Sequence, residues 1–73
     1  MTRILLSSAN PSGKRTEEIL SEIRSDLLVR MVGYGQDPRR EMRAILDNNV
    51  RILGLLTEAI RLAEENSRVL DQG

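Results

Sequence analysis

Between Met42 and Leu70 the chain keeps one spacing without a break. Met42, Leu46, Asn49, Leu53, Leu56, Ile60, Ala63, Ser67 and Leu70 follow one another in alternating steps of four and three. Such a seven-residue period holds its members on one side of an α-helix, because its mean step is close to one helical turn. A strand would require a period of two. Ile45, Ile52 and Ala59 flank this seam, and Leu55, Leu62 and Val69 widen it. At about 100° per residue, these positions span an arc of about 160°. A two-stranded coiled coil buries a narrower stripe, so the arc belongs inside a helical bundle.

The other side of the same segment is charged and self-complementary. Asp47 and Glu64 each precede an arginine by four residues, at Arg51 and Arg68, and Arg61 lies between Glu58 and Glu65. Pairs of this kind are individually weak and screened by salt, so they mark a solvated face rather than a site. Two features weaken the helix: the Asp47-Asn48-Asn49 run, and Gly54, since glycine costs about 1 kcal/mol against alanine in a helix interior. The seam crosses both in register, which predicts one continuous helix.

Punctuation divides the rest. Asp37-Pro38 suits a cap followed by a first-turn proline, and Gly33-Tyr34-Gly35-Gln36 ends the preceding segment, either glycine suiting a left-handed C-terminal position. Upstream, Ile19, Leu20, Ile23, Leu27, Leu28, Met31 and Val32 form a second helical stripe. Asn10 before Pro11, or Thr16, can cap it, and Glu17 and Glu18 complement the helix dipole. Ser7, Ser8, Asn10, Pro11, Ser12 and Gly13 are turn formers. The expectation is a single all-α domain over residues 1–73: a flexible or extended arm at 1–13, a shorter helix at 14–32 and a long helix at 38–70.

Composition closes off several chemistries. A core of 73 residues supplies only about 3–5 kcal/mol without disulfides, metal or a partner. There is no cysteine and no histidine, so thiolate and imidazole metal sites and the commonest general base are excluded. Glu18 and Glu22 lie four apart, as in helical carboxylate metal sites, but those sites also draw on histidine. Ser7, Ser8 and Ser12 have only Lys14 near them in sequence as a base. Gly13-Lys14-Arg15-Thr16 misses the phosphate-loop pattern, with Ser8 where a glycine and Arg15 where a hydroxyl residue belongs. No cofactor, no metal and no enzymatic activity are expected.

Net charge is zero, with 11 basic and 11 acidic residues, which argues against a purely electrostatic nucleic-acid or membrane partner. Ile4-Leu5-Leu6 is too short for the apolar stretch of a secretory leader, and no run approaches a membrane span. The expected location is the cytoplasm.

The opening residues, Arg3-Ile-Leu-Leu-Ser-Ser-Ala-Asn-Pro-Ser-Gly-Lys-Arg-Thr-Glu-Glu-Ile-Leu, resemble the start of a flavodoxin-like flavin reductase. In that family a strand runs into a Ser/Asn/Pro-rich phosphate loop and then a helix. The resemblance covers about a quarter of the chain and implies an extended beginning. No further strands follow, so no doubly wound sheet can form.

The two expected helices differ in length, roughly 28 Å against 50 Å at about 1.5 Å per residue. Joined by a short connection they become antiparallel neighbours, and the first is expected to cover only the first half of the second. Leu55, Leu56, Ile60, Leu62, Ala63, Val69 and Leu70 then lack a mate. An exposed apolar surface of this kind marks an interaction site. The expected architecture is a helical hairpin that assembles as a homodimeric four-helix bundle, with Leu46, Asn49, Leu53, Leu56, Ile60 and Ala63 at the interface. The expected function is a small homo-oligomeric interaction or regulatory module, with a further protein partner possible. The alternative is a small nucleic-acid-binding regulator that contacts phosphates through Arg39, Arg40 and Arg43 at the hairpin turn.

Overall fold

The computed structural model describes residues 3–72; the expectations for residues 1, 2 and 73 lie outside them. Two helices, α1 (Thr16–Tyr34) and α2 (Arg40–Gln72), form an antiparallel hairpin, and no strand occurs among the described residues. The molecule measures 51 × 21 × 17 Å. Its long dimension is that of α2, whose 33 residues rise about 1.5 Å each.

Local chemistry sets the helix ends, in places differently from the sequence reading. Arg15, in an extended conformation, is the N-cap of α1 and makes no side-chain cap bond. Its carbonyl accepts the amides of Glu18 and Ile19 at 3.0 and 3.2 Å. Thr16 is already helical. Asn10 is occupied elsewhere: its side-chain amide donates to the carbonyls of Arg3 and Leu5, at 2.9 and 3.1 Å. At the other end Gly35 is right-handed, with φ −63° and ψ −19°, and no described glycine has positive φ. The helix tightens instead, Gln36 and Asp37 donating to the carbonyls of Gly33 and Tyr34. Asp37 precedes proline and is thereby disfavoured from the helical region, which stops the chain there. Its carboxylate accepts the Arg39 amide at 3.0 Å, so Asp37 makes a turn and α2 starts at Arg40. From there α2 runs unbroken through Asp47 and Gly54.

Polar contacts between the helices fix their register. The Arg24 guanidinium donates to the Thr57 hydroxyl at 3.2 Å, and the Ser67 hydroxyl donates to the Glu17 carboxylate at 2.6 Å. Arg15 lies 3.9 Å from Asp71. Starting from Arg24 opposite Thr57 and moving in opposite directions along the two helices brings Gly35 level with Leu46, and these two residues do border one groove. α1 therefore covers α2 from about Asp47 to its C-terminal turns, rather than its first half alone. The connection through Pro38 runs back beside the first turns of α2. There the Arg39 guanidinium reaches the Met42 sulfur at 3.8 Å.

Residues 3–14 form a closed loop rather than a loose arm. Leu6 donates to the Lys14 carbonyl and Lys14 to that of Ile4, at 2.9 and 3.1 Å, while Ser7 and Asn10 exchange backbone bonds. This loop sits at the C-terminal end of α2, where Leu5, Leu6 and Ser7 share a groove with Ala63, Asn66, Ser67 and Leu70.

The core is a two-helix seam. On α1 Glu17, Leu20, Arg24, Leu27, Met31 and Tyr34 are half-buried and alternate in steps of three and four, with Ile19 and Ser21 half-buried beside them. On α2 the heptad residues from Met42 to Ser67 are buried or half-buried. Only Met42 and Ile60, at 6% and 7% exposure, are buried among the described residues. The expected α1 stripe is split by this arrangement: Leu20, Leu27 and Met31 turn inward, while Ile23, Leu28 and Val32 remain exposed.

Candidate protein interface

Most of the large apolar side chains on α2 fall into one of two groups. Leu46, Asn49, Leu53, Leu56, Ile60 and Ala63 lie on the side turned to α1 and are buried or half-buried within the single chain. Leu56, Ile60 and Ala63 thus have intrachain cover, contrary to the expectation drawn from helix length. α1 is shifted toward the C-terminal end of α2, and the folded loop extends the cover. Ile45, Ile52, Leu55, Leu62, Val69 and Leu70 stay exposed, with Leu55 at 72% and Val69 at 62%. All of these but Leu70, the last member of the seam, belong by sequence to the rim of a single arc, and together they form the open apolar surface of α2. Their periodicity was visible, but which side α1 would occupy was not.

α1 adds to that surface. Ile23, Leu28, Val29 and Val32 are exposed and spread around its circumference. Charged residues, among them Glu18, Glu22, Asp26 and Arg30, lie between them. Surface area puts a size on the exposure. A compact monomer of 8.3 kDa exposes about 4,600 Å², whereas this hairpin exposes 6012 Å². The difference of about 1,400 Å² comfortably exceeds the roughly 800 Å² each partner gives to a standard interface.

The polar groups clasp the hairpin rather than build a reaction centre. The Ser67 hydroxyl, and then a backbone amide, hold the Glu17 carboxyl below its ordinary pKa. Bonding from the Arg61 guanidinium does the same for Glu58, and that from Arg39 for Asp37. Lys14, bonded to Glu22, is raised above its usual value. No group of three acidic residues is positioned to hold a metal ion among the described residues. Among the described residues no helix is long and apolar enough to cross a membrane.

The arginines of the turn are not equivalent. Arg39 grips the Asp37 carboxylate with two nitrogens, at 2.8 to 3.1 Å, which offsets its charge locally. Arg40 and Arg43 are exposed beside it and border a groove with Pro38, Leu46 and Asp47. Sequence placed the three together as possible phosphate contacts; the fold keeps them adjacent but commits Arg39 to its neighbour. No protein-family model matches this chain, and neither does any curated protein or solved structure.

Proposed function

We propose that this chain is a helical interaction module whose first partner is a second copy of itself, two hairpins closing into a four-helix bundle. Its task is binding rather than catalysis. The excess of exposed surface over that of a compact monomer, with Ile45, Ile52, Leu55, Leu62 and Val69 open on one flank of α2, carries this reading. Burying it against a like hairpin would complete a core in which, among the described residues, only Met42 and Ile60 are buried in each copy.

Sedimentation equilibrium on the full chain, from nanomolar to about 100 μM, tests the proposal. The expected particle is twice the 8.3 kDa chain mass. A folded particle of single-chain mass throughout that range overturns it.

A further inference from the structure

We infer that α2 carries a second heptad seam built to pair, antiparallel, with the α2 of another copy about a two-fold axis level with Thr57. The inference rests on the homodimer reading and specifies its face, direction and register.

The exposed flank of α2 is not a random scatter. Ile45, Asn48, Ile52, Leu55, Ala59, Leu62, Asn66 and Val69 follow in strict alternating steps of three and four. This is a complete heptad seam of its own, about 100° around the helix from the one α1 covers. Seven of its members are exposed and Ala59 is half-buried; Asn66 borders the groove that the loop of residues 3–14 shares with α2, and from Ile45 to Leu62 the face is open along about 26 Å. A helix at the corner of a four-helix bundle has two neighbours at about a right angle. α1 fills one of those places.

The second seam is palindromic. Reversed, it reads against itself with each pair centred on position 57: Ile45 on the partner's Val69, Asn48 on the partner's Asn66, Ile52 on the partner's Leu62 and Leu55 on the partner's Ala59. β-Branched residues meet at the ends, amides meet amides, and beside the axis a large residue meets a small one. The two asparagines, the polar members of the seam, face each other only in this register or in a parallel one. Asparagine in an apolar seam is a device that fixes register.

Three features select the antiparallel direction. A parallel pair would set Leu55 against Leu55 and leave a gap at Ala59. The outer edge of the seam carries Arg51, Glu58 and Glu65. Antiparallel pairing brings Arg51 close to the level of the partner's Glu65 on both sides of the axis, and Arg51 makes no ion pair among the described residues. Glu58, which comes nearest its own copy, is already matched by Arg61 of the same chain at 2.6 Å. Finally, only antiparallel pairing puts both α1 helices on the same side of the α2 pair, where a bundle can close. The flank of α1 turned to that side carries Ile19 and Ile23, followed by Asp26 and Arg30.

The chain has no cysteine, so introduced thiols are the only ones present. Asn48→Cys and Asn66→Cys chains are mixed and equilibrated in a glutathione redox buffer. The mixed disulfide is expected to exceed either self-linked product by at least about tenfold. A dominant Asn48→Cys self-link means a parallel pair and overturns the inference. In parallel, Leu55→Glu is expected to abolish the dimer mass, whereas Val50→Glu, exposed on the opposite side of α2, leaves it unchanged. A dimer that survives Leu55→Glu and gives no mixed disulfide uses another face, which defeats this inference while sparing the homodimer reading. A wild-type monomer, its open face filled only by a different protein, defeats both.

Discussion

Gly54 and Gly13 show how differently one residue type is used in this chain. Gly54 is on the outer side of α2, away from both seams, and a methyl group there would meet nothing within 4 Å. Gly54→Ala should raise stability by about 1 kcal/mol, through helix propensity and a less flexible unfolded chain. Urea unfolding reads this as a higher midpoint at constant slope; a lower midpoint would show that the position is constrained. Gly13 is the reverse case. A Cβ there would stand 2.6 Å from the Asn10 amide nitrogen and from the Leu5 carbonyl carbon. Gly13→Ala must push the Asn10 clasp apart and open residues 3–14, at the roughly 1–3 kcal/mol typical of overpacking. Faster hydrogen exchange at the Leu6 and Lys14 amides would report it, and unchanged exchange would refute it. Sequence marked Gly13 only as part of a turn cluster and Gly54 only as a weak point. Nothing in the spacing shows that Asn10 folds back onto two carbonyls, and that contact decides which glycine is indispensable.

Among the elements, the identity of both helices was legible and their register was not. A heptad seam returns to itself after every seven residues, so its apolar pattern tolerates sliding by one repeat. Polar pairs break that degeneracy: Arg24 with Thr57 and Glu17 with Ser67 fit one alignment only. A length argument alone confined α1 to the first half of α2, because it assumed a connection that turns at once, whereas the cover extends to the C-terminal turns. The Glu17–Ser67 clasp also gives the hairpin a pH dependence. Its carboxyl is held below the value it has in an unfolded chain, as are those of Asp37 and Glu58. The folded state therefore binds fewer protons than the unfolded one. That contribution is fully present above the ordinary carboxylate range and is lost as pH falls through the depressed values, below about pH 4. Thermal unfolding should give a nearly flat midpoint around neutrality and a decline on acidification. Glu17→Gln should flatten part of that decline, and an unchanged acid profile would show that the clasp does not form in solution.

For the molecule as a whole, the decisive quantity is how little a single hairpin hides. The wide apolar arc of α2 could be read from sequence, but its division into an inner and an outer seam could not. That division depends on where α1 lies, and α1 is placed by the side-chain pairs above. With Met42 and Ile60 the only buried residues among those described, and Leu55 and Val69 open to water, one hairpin has a small core for its size. Folding and pairing should then be linked in one equilibrium, since whatever binds only the folded chain stabilises it by mass action. For a dimer that unfolds to two free chains, each tenfold dilution removes about 1.4 kcal/mol from the apparent stability. Melting curves followed by far-ultraviolet circular dichroism over three decades of concentration should shift steadily downward on dilution, keeping a single transition. Leu62→Glu, at an exposed position of the outer seam, should abolish that shift and melt at one lower temperature regardless of concentration. A wild-type midpoint independent of concentration would mean that the hairpin holds itself together, and the outer seam would then need some other explanation.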